Sequence, residues 1–235
     1  MDSASYQTVR GQLEDYFDRT AFAAWAQLTS DQPVGRIRAT VRAGRERMRG
    51  ALLSYLPQDL RGQRVLDAGC GTGALALEAA RRGADVLAMD LSPTLISLAR
   101  ERLAAQPESG RIEFVVSDML NPDLGRFDWV VAMDSIIHYQ ADDMVEMIAR
   151  LFARAERGLV MTFAPRTPLL SLMHTVGKAF PRGNRAPAIQ PIAEKTLRQR
   201  LARHPGLSES TMQLGRSERI DSAFYISQTL EILRQ

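Results

Sequence analysis

The order of elements written in this sequence predicts an α/β fold: a seven-stranded, mostly parallel sheet with helices on both faces. Three observations point to it. From Gln63 onward, short apolar runs alternate with amphipathic stretches, strand then helix, several times over. The runs are near-continuous in apolar residues, as in strands buried on both faces. Acidic residues recur at the ends of successive runs, at Asp67, Asp90 and Asp118.

Taken in order, residues 7–28 carry helical spacing, with Leu13, Phe17 and Trp25 near one face and Tyr16 and Phe22 beside it. Pro33 can open a second helix in its first turn, and that pattern runs to about Tyr55 and stops near Pro57. These helices form an N-terminal cover over residues 1–60, ahead of the main domain at 61–235. RVLDAG then reads as a buried strand and ALALEAARR as the helix after it. ADVLAMD is a second strand, followed by a helix from Pro93 to about Ala105. RIEFVVSD is a third strand and FDWVVAMD a fourth, with a helix at 142–155 behind it. GLVMTFAP is a fifth strand. Residues 165–191 break the rhythm with five prolines around the amphipathic LLSLMHTVGKAF. A connection of that length is read as a lid or substrate wall inserted after the fifth strand. A helix around 193–203 and two late strands, roughly 207–215 and 219–228, complete the chain.

Bulk composition narrows the function classes. A chain of 235 residues, 45% hydrophobic and 24% charged, builds one substantial core. No apolar run approaches the roughly 18–20 residues that cross a bilayer. The polar N-terminus MDSASYQTVRGQLEDYF has no apolar signal core, so a cytoplasmic protein is expected. The single cysteine, Cys70, excludes an internal disulfide and a multi-cysteine metal site, and no protein metal site is expected. Net charge is only +3, yet Lys178 and Lys195 are the only lysines. Arginine's planar fork suits carboxylates and phosphates. Arg36, Arg38, Arg42, Arg45, Arg47 and Arg49 form a local cluster, but no block of like charge marks a nucleic-acid arm.

The chemistry concentrates at Val65–Gly73. Gly69, Gly71 and Gly73 make G-x-G-x-G at a strand-to-helix junction, which lets backbone approach a ligand closely. Asp67, two positions before the first glycine, would repel a pyrophosphate and attract the ammonium of a methionine moiety. Asp90, closing the second strand, can accept both hydroxyls of a ribose. Asp118, closing the third, can accept from an adenine amino group, with Met119 offering a soft contact to the ring. An ordered set of acids on the carboxyl edge of a parallel sheet sits where such folds bind ligands. Together these groups describe S-adenosylmethionine.

VLDAGCGTG, LAMDLS, VVSDML and FDWVVAMD resemble the class I methyltransferases, a Rossmann-like fold family, over about residues 63–164. The resemblance implies that Gly69 and Gly71 line the methionine side, Asp90 and Leu91 the ribose, and Asp118 and Met119 the adenine, with Met133 also on the cofactor. It implies that Asp134–Tyr139 faces the transferred methyl group. No N/D-P-P-Y/F motif stands there, which argues against methylation of nucleic-acid bases. His138 is the titratable side chain placed for chemistry.

The flanks are more specific than the loop. YFDRTAFAAWAQLTSD, VRAGRERMR and FAPRTPLLSLMHTVGKAFPRGNRAPAI resemble the magnesium-protoporphyrin IX O-methyltransferases of bacteriochlorophyll biosynthesis. That resemblance implies methyl transfer from S-adenosylmethionine to one propionate of Mg-protoporphyrin IX. It also implies delivery of the pigment by the porphyrin-binding subunit of magnesium chelatase, and allows peripheral attachment to the photosynthetic membrane. His138 is then expected to orient the propionate, and Tyr16 to gate cofactor and acceptor. Lys178, Arg182 and Arg185 in the insert are expected to meet the acceptor's carboxylates. The cofactor residues by themselves leave the acceptor open. A quinone precursor, a porphyrin carrier without activity, or an RNA met by the 36–49 arginines are the other readings.

Overall fold

The computed structural model describes residues 3–235 except 21, 31–32, 105–110, 167–187, 208–209 and 223, with the side chains of 20–24 also outside it. The insert residues Lys178, Arg182 and Arg185 therefore lie outside the described residues, as does most of the 165–191 segment.

The N-terminal cover differs from the single helix its apolar spacing predicts. The Ser3 hydroxyl accepts the Tyr6 N–H at 3.1 Å and caps α1 (Ala4–Asp15). A π-helical turn follows at Tyr16–Thr20, then α2 (Phe22–Leu28). A π turn shifts the helical phase without a break in composition, so apolar spacing does not reveal it. The next helix, α3 (Arg36–Tyr55), starts after Gly35 rather than at Pro33.

From Arg64 the predicted alternation is found: β1 (Arg64–Ala68), α4 (Ala74–Arg81), β2 (Asp85–Asp90), α5 (Pro93–Ala104), β3 (Ile112–Val116), β4 (Phe127–Ala132), α6 (Ala141–Ala153) and β5 (Ala155–Phe163). Then come α7 (Glu194–Ala202), β6 (Met212–Leu214), β7 (Arg219–Ser222) and β8 (Tyr225–Arg234). The sheet has eight strands among the described residues, ordered β3-β2-β1-β4-β5-β8-β6, with β7 also paired to β8. Strands β1 to β5 are parallel, and β8 is antiparallel to its neighbours.

The extra strand corrects the expected seven. The apolar pattern at 219–228 reads as one strand but is a hairpin whose ends pair Ser222 with Tyr225. Between Ser222 and Tyr225 the sequence carries none of the Gly, Asn or Asp residues that announce a hairpin turn.

Side chains of successive strand residues point to opposite faces, and two cores result. Leu66, Val130, Leu159 and Ile232 face α6, α7 and the α1 residues Tyr6 and Leu13. Val65, Val131 and Val160 face α3, α4 and α5. The helices of residues 1–60 thus share their cores with the sheet. The strand order reverses between β1 and β4, which opens a crevice at their carboxyl ends, where α/β sheets bind ligands.

Candidate active site

The loop after β1 is held from two sides. The Gly69 and Cys70 N–H groups both donate to the Met89 carbonyl at 2.9 Å. The Gly71 N–H donates to Asp90 Oδ2 at 2.9 Å, while Asp90 Oδ1 accepts the Ser92 N–H at 3.0 Å. Gly69 and Gly73 take φ of 84° and 78°, a region unfavourable for residues with a Cβ. A Cβ on Gly69 would collide with Ser135, and one on Gly73 would lie 2.8 Å from the Phe114 ring. From the β4 side, the Ser135 hydroxyl donates to the Ala68 carbonyl at 2.8 Å.

A cavity of about 1100 Å³ opens over this junction. Its wall brings together the predicted Tyr16, Asp67, Gly69, Gly71, Asp90, Leu91, Met119, Met133 and His138. Ligand pockets for a single small molecule run to roughly 300–1,000 Å³, so this space suits a cofactor together with an acceptor.

Asp67 lies at its floor, 1% exposed, and its Oδ2 has no hydrogen-bond partner among the described residues. Burial, then the nearby Asp90 charge, raises its pKa to about 7, against a smaller lowering by the Ala76 N–H. A buried carboxylate oxygen without a partner calls for one. The ammonium end of S-adenosylmethionine is a fitting group. Burial also raises Asp90, against the three backbone N–H groups that lower it. Each Asp90 oxygen has a lone pair to spare for a ribose hydroxyl. Cys70 lies in the same wall, and burial pushes its thiol well up, with the charges of Asp67 and Asp90 adding to the effect. It is therefore a packing residue rather than a nucleophile.

Asp118 is the predicted cofactor residue whose carboxylate is engaged by the N-terminal helix. It is not in the cavity wall. Its Oδ1 accepts from the Tyr6 hydroxyl at 2.6 Å and from the Leu120 N–H at 2.8 Å, and Arg10 Nε lies 2.9 Å from Oδ2. The N-terminal helix thus reaches the position expected for the adenine amino group. Tyr6 also stacks on Tyr139, with ring centroids 5.2 Å apart.

His138 is 9% exposed, with its ring edge-on to Phe17 at 6.5 Å. Phe17 in turn meets Tyr16 at 5.1 Å and Trp25 at 5.4 Å. Burial raises the Tyr16 pKa. The π turn therefore delivers an aromatic cluster onto the end of β4. The chain enters and leaves the insert at the same place. Pro165 bridges to Ile192, and the Gln190 N–H donates to the Ile137 carbonyl at 2.8 Å.

Sequence reasoning missed a second constellation. Asp134, which follows β4, has φ 54°, the sole positive φ among described residues other than glycine. Such strain persists where surroundings overdetermine it. Its N–H donates to Thr162 Oγ1 at 2.7 Å. Its carboxylate accepts from Tyr225 OH at 2.9 Å, Ser227 Oγ at 3.1 Å, Thr162 Oγ1 at 3.1 Å and Arg45 Nη1 at 2.5 Å. The Arg45 guanidinium lies over the Trp25 ring at 4.6 Å. Asp134 could have been noticed as a further acid at a strand end. Arg45 is one of six arginines in its helix, and nothing local distinguishes it.

Three others of the arginine cluster are engaged within the fold. Arg42 donates to the Leu28 and Gln27 carbonyls, Arg38 to the Gln27 side chain, and Arg49 pairs with Glu46. Among the described residues no group of three or more His, Cys, Asp or Glu could hold a metal ion.

Residues 132–234 match the family model "Magnesium-protoporphyrin IX methyltransferase C-terminus", and residues 65–158 match a general methyltransferase domain. The magnesium-protoporphyrin O-methyltransferase of Rhodobacter capsulatus is 47% identical, covering 97% of this chain and 98% of that protein. The crystal structure of magnesium protoporphyrin IX methyltransferase from Synechocystis PCC 6803, with bound S-adenosylhomocysteine, superposes with a TM-score of 0.83. It is 27% identical, and the match covers 96% of this chain and all of that one. A ubiquinone biosynthesis O-methyltransferase of Xanthomonas oryzae pv. oryzae (strain PXO99A) is 34% identical over 53% of this chain and 55% of that protein. The likeness to the porphyrin enzymes thus takes in the flanks, whereas this quinone match covers about half of each chain. The fold is that of the class I methyltransferases, the cofactor is S-adenosylmethionine, and the chain belongs to the magnesium-protoporphyrin O-methyltransferase family.

Proposed function

We propose that the chain transfers a methyl group from S-adenosylmethionine to a propionate carboxylate of Mg-protoporphyrin IX, giving the monomethyl ester and S-adenosylhomocysteine. The observation that carries this reading is a single cavity. It joins the acidic, glycine-lined pocket of Asp67, Gly69 and Asp90 to a largely apolar chamber holding Tyr16, Phe17, Trp25 and His138.

S-adenosylmethionine, when bound, supplies an electrophilic methyl group on a cationic sulfur. The chain's own part is binding and placement. Asp67 takes the ammonium, Asp90 and Leu91 the ribose, and Gly69, Gly71 and Met133 the methionine end. Met119 packs on the adenine. Asp118 is kept as the acceptor for the adenine amino group, and taking it requires the carboxylate to give up a Tyr6 or Arg10 partner.

A propionate has a reference pKa of about 4–4.5 and is already ionised at neutral pH. Its oxygen forms the new C–O bond as the S–C bond breaks, and no proton need move. Opposite charges cancel along the way, and no general base is required. Placement therefore dominates. His138 orients the propionate by a hydrogen bond, and Tyr16 closes the aromatic cluster over both partners, excluding water. Lys178, Arg182 and Arg185 belong to the same reading as cations for the acceptor.

Delivery by the porphyrin-binding subunit of magnesium chelatase, a cytoplasmic location and peripheral membrane attachment complete the proposal. What supports docking of a large apolar ligand is the exposure of Ile189 and Phe224, at 40% and 61%, in the cavity wall. The test is an acceptor panel at saturating cofactor: Mg-protoporphyrin IX, metal-free protoporphyrin IX and a catechol quinone precursor. Methylation of Mg-protoporphyrin IX well above the catechol is expected. Preference for the catechol would overturn the acceptor.

A further inference from the structure

We propose that Arg45 grips the propionate that does not react, anchoring the porphyrin while its neighbour is methylated. The inference rests on the acceptor assigned above, a porphyrin with two propionates on one edge.

The cavity wall contains five arginines among its described residues: Arg42, Arg45, Arg49, Arg81 and Arg102. Four are committed elsewhere. Arg42 and Arg102 donate to backbone carbonyls of the N-terminal segment, Arg49 pairs with Glu46 and Arg81 with Glu78. Arg45 is different. Its contacts among the described residues are one Nη1 bond to Asp134 and the face of Trp25. A guanidinium has five N–H donors in a flat fork. The remaining edge is free to take a carboxylate bidentately.

Asp134 does not consume that capacity. Three hydroxyls, from Tyr225, Ser227 and Thr162, already stabilise its carboxylate. Its strained backbone fixes it next to Met133 and Ser135 at the end of β4. Trp25 in turn leans on the cofactor loop, its Nε1 3.3 Å from where a Gly71 Cβ would stand. Arg45 is thus clamped between a fixed anion and a fixed ring, and it lines the same cavity as His138. A rigid fork needs little reordering to bind, which favours affinity. Holding the reacting carboxylate this way would tie up the lone pair that attacks the methyl. The neighbouring propionate stays anionic throughout and has no such conflict.

The test compares wild type with Arg45→Lys and Arg45→Gln, the second serving where charge is to be removed with the side chain's bulk largely kept. For Arg45→Gln, KM for Mg-protoporphyrin IX is expected to rise about ten- to a hundredfold, as for loss of a charged hydrogen-bonded pair. KM for S-adenosylmethionine and the affinity for S-adenosylhomocysteine stay within twofold, and Arg45→Lys recovers part of the loss. Binding of the product analogues gives the readout that a structural role would not move. Wild type should bind the monomethyl ester, which keeps one carboxylate, at least tenfold more tightly than the dimethyl ester, and Arg45→Gln should lose that discrimination. Unchanged acceptor KM in Arg45→Gln, or unchanged discrimination, would overturn the inference while wild type still forms the ester. A wild type that forms no ester would instead overturn the acceptor assignment itself.

Discussion

Asp67 joins a glycine-loop motif, a buried charge and the proposed cofactor contact in one side chain. Its carboxyl ionises near 3.8 in an unfolded chain and near 7 when buried in the ligand-free fold. Between these values the native state holds the extra proton, so the contribution of Asp67 to the stability of the ligand-free protein is lost as pH rises from about 4 to 7. Asp90, raised in the same direction, adds to that slope. The difference in thermal unfolding between wild type and Asp67→Asn across this range should show it. In the proposed role, binding of S-adenosylhomocysteine needs the ionised form opposite its ammonium. Calorimetric affinity should therefore strengthen from pH 6 to 7, and Asp67→Asn should lose about tenfold or more and the pH trend with it. A second expectation concerns His138. As an orienting rather than proton-removing group, His138→Ala should cut turnover about ten- to a hundredfold while S-adenosylhomocysteine binding holds. Wild-type turnover with unchanged acceptor KM would refute the role. The place of Asp67 and Asp90 in the cavity wall was legible in the sequence because it is local, set by spacing to a glycine turn. The occupation of Asp118 by Tyr6 and Arg10 was not, since those partners stand more than a hundred residues away.

The helices and strands position these groups through a few contacts. Gly73 begins α4 at φ 78° with Phe114 packed where a Cβ would go. Gly73→Ala should destabilise the protein by about 1–3 kcal/mol and weaken cofactor binding, read by thermal shift with and without S-adenosylhomocysteine. The π turn is tied down by Asp18, whose carboxylate accepts from the Thr94 N–H at 3.1 Å, from Ser92 Oγ at 3.1 Å and from the Thr94 hydroxyl. Asp18 thus acts on the first turn of α5 as a cap supplied from another element. Asp18→Ala should cost about 1–2 kcal/mol in thermal unfolding and raise KM for the acceptor, because it loosens the turn bearing Tyr16 and Phe17. Unchanged unfolding and kinetics would show that the turn holds without it. The sequence predicted helix at 16–20 but not its π form, and one strand at 219–228 where a hairpin stands. Both failures concern backbone shape at places where residue type does not change. The hairpin matters, since it sends Tyr225 and Ser227 to Asp134.

In the whole molecule, the alternating strand and helix pattern was readable because a parallel sheet must bury both faces and its apolar runs say so. The joining of the N-terminal helices to the sheet's two cores was not readable, because an amphipathic face does not name its partner. That joining brings aromatic and arginine side chains into the wall of the cavity that holds the cofactor loop. The acceptor can be read directly from the product. Wild-type protein is incubated with Mg-protoporphyrin IX and S-adenosylmethionine carrying a labelled methyl group, and the pigment is isolated. The result predicted is one labelled methyl ester per S-adenosylhomocysteine formed, released as labelled methanol on saponification. Binding of S-adenosylhomocysteine by the same protein with no ester formed, or a label that survives saponification, would contradict methyl transfer to a propionate.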